Sequence, residues 1–268
     1  MAKSVPMKSR GLIEKHISLQ HFDLTLVQPS EGLADCVENY WIIEWDMAEG
    51  KSFTQVNLPH SSQHLVIDPQ HVSGVFGLTS GVFRYYIEGK GRIFGLKFLP
   101  GQFKRFAAHT MSHLTDQSVP ISSYFDVDDD ALVEGFVQTK HAADFAQKIE
   151  DVVAAPDAVG DEKSAMAQAV VEYVDKSREV FEVEAVARHF DVSPRSLQRL
   201  CADYIGISPK WIIERYRMLE AVEAMNDAQA MSLTELAHLL GYFDQAHFSK
   251  AFKRLTGLSP SEVNRPLG

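Results

Sequence analysis

His60, His64 and His71 stand close together in LPHSSQHLVIDPQH, and grouped imidazoles are the first chemistry this chain offers, since neutral histidine nitrogens ligate metal ions. If the stretch is a strand, His60 and His64 share one face but stand about 13 Å apart, too far to share an ion. Its nearest candidate acid is Asp68. The spacing predicts surface or turn histidines, no metal site and no cofactor. Cys36 and Cys201 show neither CxxC nor Cys/His spacing and are expected as reduced, buried thiols. The acidic run DVDDD at 126–130 lacks the spaced ligands and glycine of a calcium loop and reads as a helix start.

A second kind of chemistry is more specific. VSPRSLQRLCADYIGISP begins at Val192 and FDQAHFSKAFKRLTGLSP begins at Phe243; a shift of 51 positions lays Gly206 on Gly257, Ser208 on Ser259, Pro209 on Pro260, Leu197 on Phe248 and Cys201 on Phe252. Leu197, Leu200, Cys201 and Tyr204, like Phe248, Ala251, Phe252 and Leu255, fall on one helical stripe. The opposite stripes carry Arg195, Ser196, Gln198 and Arg199 in the first copy and Gln245, Ala246, His247, Ser249 and Lys250 in the second. Arg bonds guanine bidentately, Gln bonds adenine, and Ala meets a thymine methyl, so these side chains suit base reading. Lys253 and Arg254 lie further along, where phosphate contacts fit better.

The elements that would hold these side chains follow from the pattern. Helices are expected near 165–178, 182–190, 194–205, 208–225, 232–240 and 244–256, with Ser193 and Asp244 as N-caps of the two reading helices. Each reading helix follows a shorter amphipathic one, VEAVARHF or LTELAHLL, across a tight joint, which is the helix-turn-helix arrangement. Trp211, Ile212, Tyr216 and Leu219 of the linking helix read as core; Arg215 and Arg217 read as phosphate contacts or as partners of Glu214 and Glu220. A solvated helical face is the plain alternative for either copy alone. Two matched faces, low in Glu within an acidic chain, call for a further reason.

Residues 20–100 give short apolar or alternating runs such as NYWIIEWDM, HLVIDP and RIFGLKFLPG, hence a β-rich region. QFKRFAAH, DDDALVEGFVQ and AADFAQKIEDVVAA read as helices, and 154–163 as a linker. The expected domains are 1–160, sensory or regulatory, and 161–268, all-helical. The net charge is −10, with 22 acidic against 14 basic side chains in 1–163 and 14 against 12 in 164–268, so the acidity sits mostly in the first part. No signal-peptide core or membrane-length apolar run occurs, and a cytoplasmic location without membrane contact is expected.

On VEAVARHFDVSPRSLQRLCADYIGISPKWIIERYRMLEA and SLTELAHLLGYFDQAHFSKAFKRLTGLSPSEV, residues 165–266 resemble the DNA-binding domain of the AraC/XylS family of transcription regulators. The resemblance implies an α+β chain: a β-rich, cupin-like barrel or sandwich followed by helices, then two helix-turn-helix units joined by a long helix that meet one face of double-stranded DNA. It implies reading roles for Arg195, Gln198, Arg199, Gln245, His247 and Lys250, and no catalysis. Cys201 replaces the family's usual aromatic. The first part also resembles, less closely, a sensor domain found on other such regulators; a small-molecule effector, a homodimer and a contact with RNA polymerase are the implied partners. Trp41, Trp45, His64, Arg84, Tyr86 and Lys97 are the candidate ligand residues. Dimerisation alone is the alternative role. A cupin-type metalloenzyme, which would need HxH followed by Glu and a later His, and a methyl-accepting repair protein are further rivals.

Overall fold

The computed structural model describes residues 11–13, 15–154, 160–177, 179–226 and 231–263. Its strands are β1 (Asp23–Val27), β2 (Val37–Asp46), β3 (Ser52–Asn57), β4 (His64–Ile67), β5 (Gly74–Phe76), β6 (Phe83–Glu88), β7 (Lys90–Phe98) and β8 (Ser118–Val119). Six form an antiparallel sheet of order β1-β2-β7-β4-β5-β8, while β3 and β6 pair as a separate ribbon.

β2 explains the layering. Alternation along NYWIIEW sends Tyr40 and Ile42 to one face and Trp41, Ile43 and Trp45 to the other. Both sets are apolar, so both faces need cover. The first packs with Phe94 and Phe98 of β7 against Phe136 and Phe145, carried by α2 (Asp129–Gln138) and α3 (Phe145–Val153). The second is covered by the ribbon through Phe53, Tyr85 and Ile87. Trp41 pairs with Gly95 and Trp45 with Gly91, and a Cβ at either glycine would collide with the facing indole. The four-residue spacing of the tryptophans is matched by that of the glycines. The result is an open sheet with a ribbon on one side, the sandwich of the two expected alternatives.

Two local readings need correction. QFKRFAAH forms a 3-10 helix, Gln102–Phe106, ending where Ala107 turns extended, and Lys104 Nζ then binds the carbonyls of Ala107, Ala108 and His109. The linker covers less than expected of what is described: 155–159 lie outside the described residues, and Asp161 already caps the next helix by accepting from Ser164 N at 2.7 Å. The acidic run behaves as a helix start, with Asp128 accepting from Ala131 N and Asp129 from Ile121 N and Ser122 N.

The remaining helices are α4 (Glu162–Lys176), α5 (Val183–His189), α6 (Pro194–Tyr204), α7 (Pro209–Asn226), α8 (Leu233–Leu239), α9 (Gln245–Thr256) and the short α10 (Pro260–Val263), the first helix α1 (Lys15–Ser18) lying far upstream. Ser193 accepts from Ser196 N and Asp244 from His247 N, and Ser232 forms a reciprocal cap with Glu235. The stripe Leu197, Leu200, Cys201 and Tyr204 buries against Val170, Val186 and Ile212; Phe248, Ala251, Phe252 and Leu255 bury against Leu236, Met218 and Leu219. α7 therefore serves both cores. At 1.5 Å per residue its 18 residues span about 27 Å. Among the described residues, no helix is long and apolar enough to cross a membrane.

Candidate nucleic-acid interface

Once the apolar stripes of α6 and α9 are buried, helical geometry leaves the opposite stripes outward. Arg195, Ser196, Gln198 and Arg199 are exposed on α6; Gln245, Ala246, His247, Lys250 and Lys253 are exposed on α9, and Ser249 is half-buried. No carboxylate occurs within α9, and the Asp244 carboxylate at its start is engaged by the His247 N–H at 2.7 Å. Each face thus presents cations and amides with little competing negative charge.

Several of these side chains are already positioned. The Ser196 and Ser193 hydroxyls lie 2.9 Å apart, which makes Ser196 part of the helix cap. Thr234 Oγ1, at the start of α8, donates to Gln245 Oε1 at 3.0 Å, and the His247 ring stands edge-on to Tyr242. Arg254 Nη2 donates to Glu214 Oε2 at 2.6 Å, so in the free protein this expected phosphate contact is paired with α7. Arg215 and Arg217 depart from both expected roles. Arg215 is buried and donates through Nε to the Pro59 carbonyl; Arg217 lies over the Phe181 ring and donates to its carbonyl. A buried guanidinium that binds a carbonyl and stacks on Tyr216 keeps its charge solvated by oxygen and π density.

The first joint, between α6 and α7, is also gripped by the β-rich part. Gln63 Nε2 donates to Ile205 O, and Thr115 Oγ1 to Gly206 O. Trp211 Nε1 donates to Ser80 O, and Ser61 and Tyr216 share a hydroxyl contact at 3.1 Å. Trp211 and Tyr216, expected as plain core, are half-buried bridges; Ile212 and Leu219 are core. Sequence reading missed Gln63, Ser80 and Thr115, because their partners lie 91 to 142 residues away and each of the three contacts ends on a backbone carbonyl, which has no side-chain signature.

The structure divides the candidate ligand residues, bringing Trp41, His64 and Lys97 together and leaving Trp45, Arg84 and Tyr86 elsewhere. Trp41 donates to His64 Nδ1 at 3.1 Å, and Lys97 pairs with Glu38 at 2.8 Å. Trp45 is buried on the ribbon side and donates to Glu88 O. Arg84 lies against Gly257, and Tyr86 is exposed with its hydroxyl on Glu88. His60 and His64 correct the strand argument: β4 begins at His64, His60 lies in the preceding loop, and their rings come within 5.1 Å. Burial, then the Lys97 charge, holds His64 down at about 3 and His60 well below the usual range, which leaves both neutral. His71 stands apart with Asp68 and Tyr85. Among the described residues no three His, Cys, Asp or Glu side chains group to hold a metal. Burial pushes the Cys36 thiol up to about 11 and Cys201 to about 12, so neither is a ready nucleophile.

Two helix-turn-helix units on one linking helix define the class of the helical part, and comparison with known proteins gives it a family. Residues 186–265 match the family described as Helix-turn-helix domain, and residues 25–120 match one described as Domain of unknown function (DUF6597). The transcriptional activator RhaS of Escherichia coli O139:H28 is 32% identical over 82 residues, covering 31% of this chain and 29% of RhaS; RhaS of Salmonella arizonae is 33% identical over the same length. The matched segment thus spans under a third of these relatives. The C-terminal domain of AraT from Geobacillus stearothermophilus is 28% identical, covering 40% of this chain and 92% of that one, with a TM-score of 0.36. ToxT from Vibrio cholerae is 13% identical, covering 84% and 96%, with a TM-score of 0.40. The C-terminal region of the chain is an AraC-type helix-turn-helix domain.

Proposed function

We propose that the protein is a sequence-specific, DNA-binding transcription regulator that activates its targets, with residues 161–268 reading DNA and residues 1–160 controlling that reading. The observation that carries this is the pair of outward faces on α6 and α9, held on one helix whose length suits grooves about 34 Å apart. Arg195, Gln198 and Arg199 read one half-site, and Gln245, His247 and Lys250 the other. Lys253 contacts phosphate. The protein has no catalytic turnover in this reading.

Control runs through the first joint. A small-molecule effector that favours one arrangement of the β-rich part changes the grip of Gln63, Thr115 and Ser80 on Ile205, Gly206 and Trp211, and with it the aim of α6. Selection of duplexes from random DNA by the full chain tests the core of the proposal. Arg199→Ala and Lys250→Ala should each cost about 1 to 3 kcal/mol on the selected duplex; unchanged affinity in both would refute the reading. A thermal-shift screen of small metabolites tests the effector, since a ligand raises the melting temperature by mass action.

A further inference from the structure

Phe243 is 86% exposed, the highest value among the large exposed apolar side chains described. Its counterpart in the first unit, 51 positions earlier, is Val192, which is half-buried and packs on that unit's core. The repeat tucks one in and leaves the other out. Phe243 directly precedes the cap Asp244, the place from which an apolar residue commonly folds back as a staple onto the fourth helical residue, here Phe248. Phe248 is fully buried without it. The ring therefore stands free at the N-terminal end of α9, the end of a reading helix that enters the groove.

Its surroundings indicate the partner. Ala246, exposed three residues on, adds a second apolar group, and Lys250 and Lys253 follow on a helix without carboxylates. An apolar tip on a cationic face suits a polyanion that displays methyl groups along its groove. We propose that Phe243 reads thymine: the ring packs on C5-methyl groups in the major groove of the half-site met by α9. This rests on the DNA-binding reading above. A polymerase surface would instead join Phe243 to Leu239, which is 59% exposed on α8.

The test uses the full chain and the duplex it selects from random DNA, with thymines replaced singly by uracil to delete the methyl. The wild type should lose about fourfold in affinity at one or two positions of the α9 half-site, the worth of one buried methyl. Phe243→Ala should lose roughly four- to tenfold on the thymine duplex and bind thymine and uracil forms alike, and Phe243→Leu should keep part of the preference. Melting of both variants should match the wild type, because the ring is exposed. The proposal is overturned if Phe243→Ala binds as tightly as wild type, whether or not transcription falls, or if its uracil penalty persists. Arg199→Ala separates the two failures: if it weakens binding while Phe243→Ala does not, only the thymine reading is lost; if neither does, the DNA reading falls as well.

Discussion

The two helix-turn-helix units share one plan yet meet the β-rich part by different physics. The first joint accepts directional hydrogen bonds at Ile205 O and Gly206 O, and the adjoining α7 adds those of Trp211, Arg215 and Tyr216. The second unit is met mainly through apolar surface, with Ile13, Leu58 and Val56 packed on the cluster of Met218, Leu219 and Phe252. Hydrogen bonds fix orientation, whereas apolar contact rewards area and tolerates sliding. The fold thus sets the aim of α6 more tightly than that of α9.

The matched glycines offer the sharpest break in this comparison. Gly206 and Gly257 both sit in the left-handed region, at φ 101° and 72°, and close equivalent joints. A Cβ at Gly206 would meet the Met111 carbonyl and Thr115 Oγ1; one at Gly257 would meet the Arg84 guanidinium and Val82 methyls, which can move. Gly206→Ala should therefore cost about 2 to 4 kcal/mol and Gly257→Ala about 1 kcal/mol, measured by chemical denaturation. Equal costs would mean that the β-rich part does not wall the first joint.

Gln63→Ala is the next step down. The Gln63 side chain is fully buried, and its loss strands the Ile205 carbonyl, so about 1 to 2 kcal/mol should go. Hydrogen exchange should rise at the α6–α7 joint while the α8–α9 joint stays protected. Uniform loosening of both would dissolve the distinction.

This asymmetry was only half legible in the sequence. Helix period, caps and joints are local signals, which is why Ser193, Asp244, Gly206 and Gly257 could be read and each of the six expected helices lies within three residues of its place. The run NYWIIEWDM marked a β-rich region, but not that β2 would lie between β1 and β7 with both of its faces covered. The six candidate ligand residues divide for a related reason: Trp41, His64 and Lys97 meet across β2, β4 and β7, whereas Arg84 and Tyr86 sit on the outer side of a ribbon whose pairing no local pattern announces. Backbone acceptors such as Pro59 O and Ile205 O have no residue type to betray them.

His64 gives the comparison a pH axis. It is neutral in the fold, with Nδ1 accepting from Trp41, and its Nε2 is sealed from solvent near Lys97 and His60. Trp41 on β2 and His60 in the loop lie against this ring and the Lys97 charge on β7 acts on it, while Glu38 pairs with Lys97 and the Arg215 charge on α7 acts on His60. Its folded value, about 3, is below the unfolded value near 6.5, so the unfolded chain binds the extra proton between them. The stability is present above about pH 6.5 and is lost as pH falls, by at most about 1.4 kcal/mol per pH unit. His64→Asn, which keeps an acceptor for Trp41, should reduce the slope between pH 7 and 5, the buried His60 supplying a further part of the same sign; an unchanged slope would remove His64 as a source.

The smallest expected effect concerns Arg254. Its pair with Glu214 is largely exposed, and such pairs are worth about 0 to 1 kcal/mol, so Arg254→Ala should barely change stability. Its effect on DNA binding is the informative part. If Glu214 holds Arg254 in the complex as it does in the free protein, salt dependence of binding should stay as in the wild type, while Lys253→Ala lowers the slope by about one. If both variants lower it, Arg254 leaves Glu214 for a phosphate, and α9 gains on the duplex an anchor that it lacks in isolation.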